Sequence, residues 1–86
     1  MTSIRLYGLI GKDALGQGTS ADEMISRMPS DGSPIEVRIN SEGGSVVEGF
    51  AIANALYSYK GETVAIVEGQ ASSAASYVAA SCSKIK

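Results

Sequence analysis

Two short stretches of this chain place polar and glycine residues where a strand gives way to a helix. The first is Asn40-Ser41-Glu42-Gly43-Gly44, which closes the alternating segment Ile35-Glu36-Val37-Arg38-Ile39. The second is Gly69-Gln70-Ala71-Ser72-Ser73, which closes the β-branched segment Thr63-Val64-Ala65-Ile66-Val67. Gly43 and Gly44 can adopt backbone conformations closed to other residues and leave amides uncovered. Amides beside a helix N-terminus can hold a developing negative charge. At the second junction a serine would present its hydroxyl at the carboxyl end of a strand, in the positive field of the following helix, with the next amide free to bind an oxyanion. Together these features describe an oxyanion-binding domain with a candidate serine. Each also has a plainer meaning: Gly-Gly is commonly a tight turn, and a serine at a helix start is commonly an N-cap. The second stretch is not the Gly-x-Ser-x-Gly elbow of α/β-hydrolases.

Other chemistries find less support. The chain has no histidine, so it carries no imidazole base of its own, and its one cysteine can form neither an internal disulfide nor a metal site. Cys82 reads as a small buried apolar residue. No cofactor is expected. In the loop Gly11–Ser20, Gly11-Lys12 and Gly16-Gln17-Gly18 match neither the phosphate-loop order nor the dinucleotide fingerprint. A net charge of −2 with scattered basic residues excludes a nucleic-acid footprint. No apolar run reaches the roughly 18–20 residues of a membrane span, and the N-terminus lacks the layout of a secretory signal. A reducing, cytoplasmic setting is the expectation.

The elements that must hold these junctions follow from periodicity. Ile4, Leu6 and Ile10 share one face of an extended segment over Ser3–Ile10, with Arg5 and Tyr7 opposite. Ser20-Ala21-Asp22-Glu23 is a capping box, and behind it Ala21, Met24, Ile25 and Met28 form a helical stripe that ends at Pro29 and Asp31-Gly32. Ser41-Glu42-Gly43-Gly44 reads as a sharp turn. A second capping box, Ser45-Val46-Val47-Glu48, opens a helix to about Tyr57 that is apolar around most of its circumference and so belongs inside a layered domain. Thr63–Val67 reads as a strand covered on both faces and ended by Gly69, and Ala71–Ala80 as a small-residue helix. The alternation of strand and helix predicts an α/β layered fold. With 86 residues, 44% of them hydrophobic, this is one globular domain or part of one. The abrupt finish at Ser83-Lys84-Ile85-Lys86 suggests a domain cut short.

The residues also carry a family resemblance. Ile39-Asn40-Ser41-Glu42-Gly43-Gly44-Ser45-Val46, followed by Gly49-x-Ala51-Ile52, resembles the Ile-Asn-Ser-Pro-Gly-Gly segment of the Clp protease proteolytic subunit. Gly69-Gln70-Ala71-Ser72-Ser73-Ala74-Ala75-Ser76 resembles that family's nucleophile segment, Gly-x-Ala-Ala-Ser. Its Ser-Ala-Ala-Ser ending is most similar to the phage and prophage branch, the head maturation proteases. The resemblance covers the chain from about Ile4 onward. It implies a ClpP/crotonase-like layered ββα superhelix, of which residues 1–86 are the N-terminal part, truncated before the C-terminal part. It implies a serine endopeptidase with Ser73 as nucleophile, oxyanion-hole amides on Gly44 and Ala74, and Gly43 supporting the turn. The implied partners are polypeptide substrates and further copies of the chain in stacked rings, with a Clp-type ATPase or phage capsid and scaffold proteins beside them.

Ser72 stands where the family has alanine and competes with Ser73; Ser76 reads as a helix-packing residue. Glu42 replaces a proline. The family's histidine and aspartate follow the nucleophile helix, so these 86 residues are expected to be inactive alone. Three other readings stand beside this one. The signal peptide peptidase A type, with a lysine base, shares the Asn-Ser-x-Gly-Gly turn, the Ser-x-x-x-Tyr-x-Ala pattern of Ser73–Ala79 and a Lys-Ile like Lys84-Ile85. The acyl-CoA-binding crotonase group has a similar architecture and needs no serine at position 73. The last is a non-catalytic fragment that only assembles with partners.

Overall fold

A computed structural model describes residues 1–86, as four strands and three helices. They run β1 (Thr2–Ile10), α1 (Ala21–Ser26), β2 (Ile35–Gly44), α2 (Val46–Tyr57), β3 (Thr63–Ala71), α3 (Ala74–Ala80) and β4 (Lys84–Ile85). The strands form a single parallel sheet in the order β1-β2-β3-β4. A sheet whose order follows the chain needs crossovers that all travel the same way, which places the helices on one face. α1 accordingly packs on α2, α2 on α3, and α3 on β2 and β3.

The helix-facing side of the sheet is the core. Ile4, Leu6 and Ile10 of β1 and Ile35, Val37 and Ile39 of β2 are buried there against Met24, Ile52, Leu56 and Val78. The alternation that predicted β1 and β2 is the alternation between this face and the open one. On the open face, register sets Ser3, Arg5 and Tyr7 beside Glu36, Arg38 and Asn40. The charges there pair among themselves. Arg38 meets Glu36 at 2.8 Å and also Glu68, which accepts a hydrogen bond from the Tyr7 hydroxyl. Tyr7 lies under the Arg5 guanidinium, 4.8 Å from ring centroid to Cζ.

Several expectations need correction. Ser41–Gly44 is not a turn: β2 continues through it, with Gly43 and Gly44 pairing with Leu9 and Ile10. Both glycines have positive φ, 102° and 145°, so the strand extends through a conformation that only glycine takes easily. Gly69 does not end β3, which runs on to Ala71 after a register shift, so α3 begins at Ala74 rather than Ala71. β3 is covered on one face only past its first three residues, because no second layer lies on the open side; Ile66 and Val67 are half-buried.

α1 is only six residues long, so its stripe is partial. Ala21 and Met24 are buried, Ile25 is 39% exposed, and Met28 packs against the core from beyond the helix. α2 buries Gly49, Ile52 and Leu56 but leaves Val46, Val47 and Tyr57 exposed, and Phe50 is covered only in part, by Tyr77 of α3 at 5.2 Å between ring centroids. Ser45 caps α2 through the Glu48 amide at 3.1 Å, as the capping box predicts. The reciprocal half fails: the Glu48 carboxylate accepts from Ala21 N–H of α1 at 3.0 Å, and Ser45 N–H donates to the Ile10 carbonyl. Glu48 thus ties two helix starts together. The short β4 was not expected. It pairs with β3 through Val64 and Ala65, and Thr63 and Ser83 exchange hydrogen bonds just before it.

Candidate active site

In an open parallel sheet the crevice beyond the carboxyl ends of the strands is where ligands bind. Here the ends of β1, β2 and β3 bring together Ile10, Gly43, Gly44 and the Ser72-Ser73-Ala74 junction.

Ser73 has the most unusual backbone in the molecule. With φ 53° and ψ −126° it is the one non-glycine residue at positive φ. Such a conformation costs on the order of 1–3 kcal/mol and persists only where the surroundings enforce it. The enforcement is visible on both sides. Upstream, Ser72 N–H donates to the Ser41 carbonyl at 3.1 Å. Downstream, Ala75 and Ser76 amides donate to the carbonyls of Ser72 and Ser73, and Ala74 is fully buried. Ser73 occupies the N-cap position of α3, yet its side chain makes no capping hydrogen bond. The plain N-cap meaning of this serine therefore does not apply.

The other two serines are engaged. The Ser72 hydroxyl donates to the Gln70 side-chain carbonyl at 3.0 Å, and the Ser76 hydroxyl to the Ser73 carbonyl at 2.6 Å. Ser76 faces its own helix start rather than a neighbouring element.

Gly43 is buried directly against this junction. A Cβ at Gly43 would come within 2.8 Å of Ser73 Cβ and of the Ser72 carbonyl oxygen, and 3.2 Å of the Ala74 nitrogen. Gly44 faces the other way, toward the end of β1, where a Cβ would reach 2.8 Å from Leu9 Cδ1. Gly43 N–H donates to Ser41 Oγ at 3.0 Å, so it is not available to a ligand. α2 closes on the same point: Gly49 lets the helix approach until a Cβ there would be 2.9 Å from Ala74 Cβ. Glu42, on the rim, is exposed. Cys82 is buried beneath α3, and that burial pushes its thiol pKa up, which makes it unreactive.

Ser73, Gly43, Gly44 and Ala74 are thus brought to one rim. Asn40, Ser41 and Glu48 were not singled out from the sequence. The sequence marks Asn40 and Ser41 only as members of the family-like segment and Glu48 only as the far end of a capping box, with no site role for any of them.

Such a rim, on a sequentially ordered parallel sheet, is the architecture of a ClpP-like peptidase fold, and the comparisons agree. A model of the Clp protease family matches residues 7–86. The chain belongs to the Clp protease family. No curated protein matches it. Among solved structures, it is similar to a ClpP1 mutant from Listeria monocytogenes, with 21% identity and a TM-score of 0.79, covering 93% of this chain and 46% of that one. It is also similar to the ClpP protease catalytic domain from Plasmodium falciparum, with 31% identity and a TM-score of 0.74, covering 93% of this chain and 45% of that one. The chain spans less than half the length of these structures.

Proposed function

We propose that these residues form the nucleophile-bearing, N-terminal part of a single serine endopeptidase domain, with Ser73 as the nucleophile. The observation that carries this reading is the strained backbone of Ser73, set against Gly43 with its hydroxyl in no capping bond. Local strain held by surrounding structure is characteristic of functional positions, and it favours Ser73 over Ser72, whose hydroxyl is engaged.

The Ser73 Oγ attacks the carbonyl carbon of the scissile peptide bond. A C–O bond forms and the carbonyl electron pair moves onto oxygen. The Gly44 and Ala74 amides hold that oxyanion, while Gly43, without a Cβ, lets the two segments meet. The Oγ proton passes to a base outside these 86 residues, which contain no histidine, and then to the departing amine. Water then attacks the acyl carbonyl and gives its proton to the same base, and the Ser73 Oγ leaves, takes that proton and releases the new carboxyl group. The residues alone are therefore inactive as a peptidase.

The Ser-Ala-Ala-Ser ending of the nucleophile segment favours the phage and prophage head-maturation branch, acting in the cytoplasm on capsid or scaffold polypeptides, as an assembly of several copies. A Clp-type ATPase is the alternative partner. The test is fluorophosphonate labelling of the protein at the full length its gene encodes. A covalent adduct on Ser73, abolished by Ser73→Ala and retained in Ser72→Ala, is expected. An adduct that survives Ser73→Ala would overturn the assignment.

A further inference from the structure

Two consecutive residues outside the proposed chemistry join the parts of this rim. Asn40 and Ser41 sit side by side in the central strand, so their side chains leave it on opposite faces. Each one meets an irregularity in a neighbouring strand. On the β1 side, Tyr7 pairs with Asn40 but Leu9 pairs with Gly43, so β2 supplies one residue more than β1. Ser41, buried, fills that irregularity: its hydroxyl donates to the Gly8 carbonyl at 2.6 Å and accepts from Gly43 N–H at 3.0 Å. On the β3 side, Ile39 pairs with Val67 but Ser41 pairs with Ala71, so β3 supplies two residues more than β2. Asn40 reaches into that excess, and its side-chain carbonyl accepts from Gln70 N–H at 3.3 Å. Gly69 makes room, since a Cβ there would collide with the Asn40 side-chain amide.

The consequence is positional. In an uninterrupted parallel ladder, Ser41 would pair with Gly69, and Ser73 would lie two residues, about 6–7 Å, farther beyond the rim. The β3 irregularity draws the chain back so that Ser72 reaches the Ser41 carbonyl and Ser73 lies against Gly43. An uncompensated irregularity would leave backbone amides unpaired; here side chains of β2 supply the partners.

We propose that Asn40 and Ser41 form a two-sided latch that sets the register of Ser73 against Gly43 and Gly44, with Asn40 acting as a positioning residue for the nucleophile. This rests on the reading of Ser73 given above. Displacements of an ångström at a reacting atom carry losses of about 100-fold, so the latch acts on rate rather than on stability. Asn40 is exposed, which allows it to be changed without opening the core.

The experiment compares Asn40→Leu, which keeps the size and removes the acceptor, with Asn40→Asp, which keeps the acceptor. Amide hydrogen exchange at Gln70 and Ser72 and fluorophosphonate labelling are both read on the protein at its full gene-encoded length. For Asn40→Leu, exchange at both amides is expected to quicken at least 10-fold and labelling to slow at least 10-fold, with the urea midpoint almost unmoved. Asn40→Asp is expected to restore both. Wild-type labelling in Asn40→Leu, alongside none in Ser73→Ala, overturns the latch and leaves the peptidase reading standing. Slowed labelling in both Asn40 variants overturns the acceptor role. If Ser73 never labels, the peptidase reading fails; unchanged exchange at Gln70 then overturns the latch as well, and faster exchange upholds it as a register device.

Discussion

The two ends of the sheet are built by different rules. Toward the amino ends of the strands the register is unbroken: Thr2–Tyr7 pairs with Ile35–Asn40, and Ile35–Ile39 with Thr63–Val67, residue for residue. Toward the carboxyl ends both ladders slip, three glycines of β1 and β2 take positive φ, and the one strained non-glycine residue appears at Ser73. The regular end is held by apolar burial, which is tolerant of detail and cooperative across strands. The irregular end is held by single polar contacts from Asn40, Ser41 and Ser72, which are specific and local. The main apolar support and the proposed chemistry thus occupy opposite ends of the same strands.

That contrast can be broken at the regular end first. Ile39 is fully buried on the helix-facing side, and Ile39→Ala is expected to cost about 2–5 kcal/mol. A chain of this size has a total stability of roughly 4–13 kcal/mol, so a large fall in the urea midpoint is expected. A small one would mean that the sheet's regular half is not its main support.

At the irregular end the effects are smaller and differ in sign. Gly43→Ala places a methyl against Ser73 Cβ at a positive-φ position. A loss of about 1–3 kcal/mol is expected from strain alone, together with loss of Ser73 labelling in the full-length protein. Ser73→Gly has the opposite sign for stability, since glycine accepts φ 53° without strain. A gain of about 1 kcal/mol in chemical denaturation is expected, and a loss would show that the backbone there is not strained.

The smallest effect is electrostatic. Hydrogen bonds hold three carboxyl groups below the usual carboxylate range. Glu68 receives them from Tyr7 and then Arg38, Glu23 from Lys12, and Asp31 from the Ser33 amide and hydroxyl. Groups with depressed folded pKa values contribute stability that is present above their unfolded values and is lost as pH falls through the folded ones. All three are at the surface, so the contribution is modest. The urea midpoint is expected to be flat between pH 7 and about pH 5 and to decline below about pH 4. A midpoint that rises on acidification would contradict these pairings.

Much of this arrangement is legible in the sequence, and the limits are physical. Alternation at Ile4, Leu6, Ile35, Val37 and Ile39 marks both the strands and their buried face, because side chains in a strand alternate between faces whatever it pairs with. Ser20 and Ser45 mark helix starts, because capping is local. The strand ends are not legible at Gly43-Gly44 and Gly69, where glycine commonly means a turn but the strands continue. Whether such a glycine turns the chain or lets a strand continue depends on the neighbouring strand. Glu48 follows the same logic: its spacing from Ser45 describes a reciprocal cap, but the start of α1 lies closer to its carboxylate.

By itself the sequence determined the alternation of elements, the buried faces of β1 and β2, the capping serines of α1 and α2 and the two junctions where chemistry is possible, all of which depend on residues within a few positions of one another. Only the tertiary structure decided the register slips on either side of β2, the strained backbone of Ser73, the engagement of Ser72 and Ser76, and the approach of Gly43 to the helix start. The register slips and the Gly43 approach are contacts between residues some thirty positions apart, and the short hydroxyl bonds of Ser72 and Ser76 follow from the backbone those contacts impose. Their geometry arises when three strands pack side by side, and no local pattern encodes it.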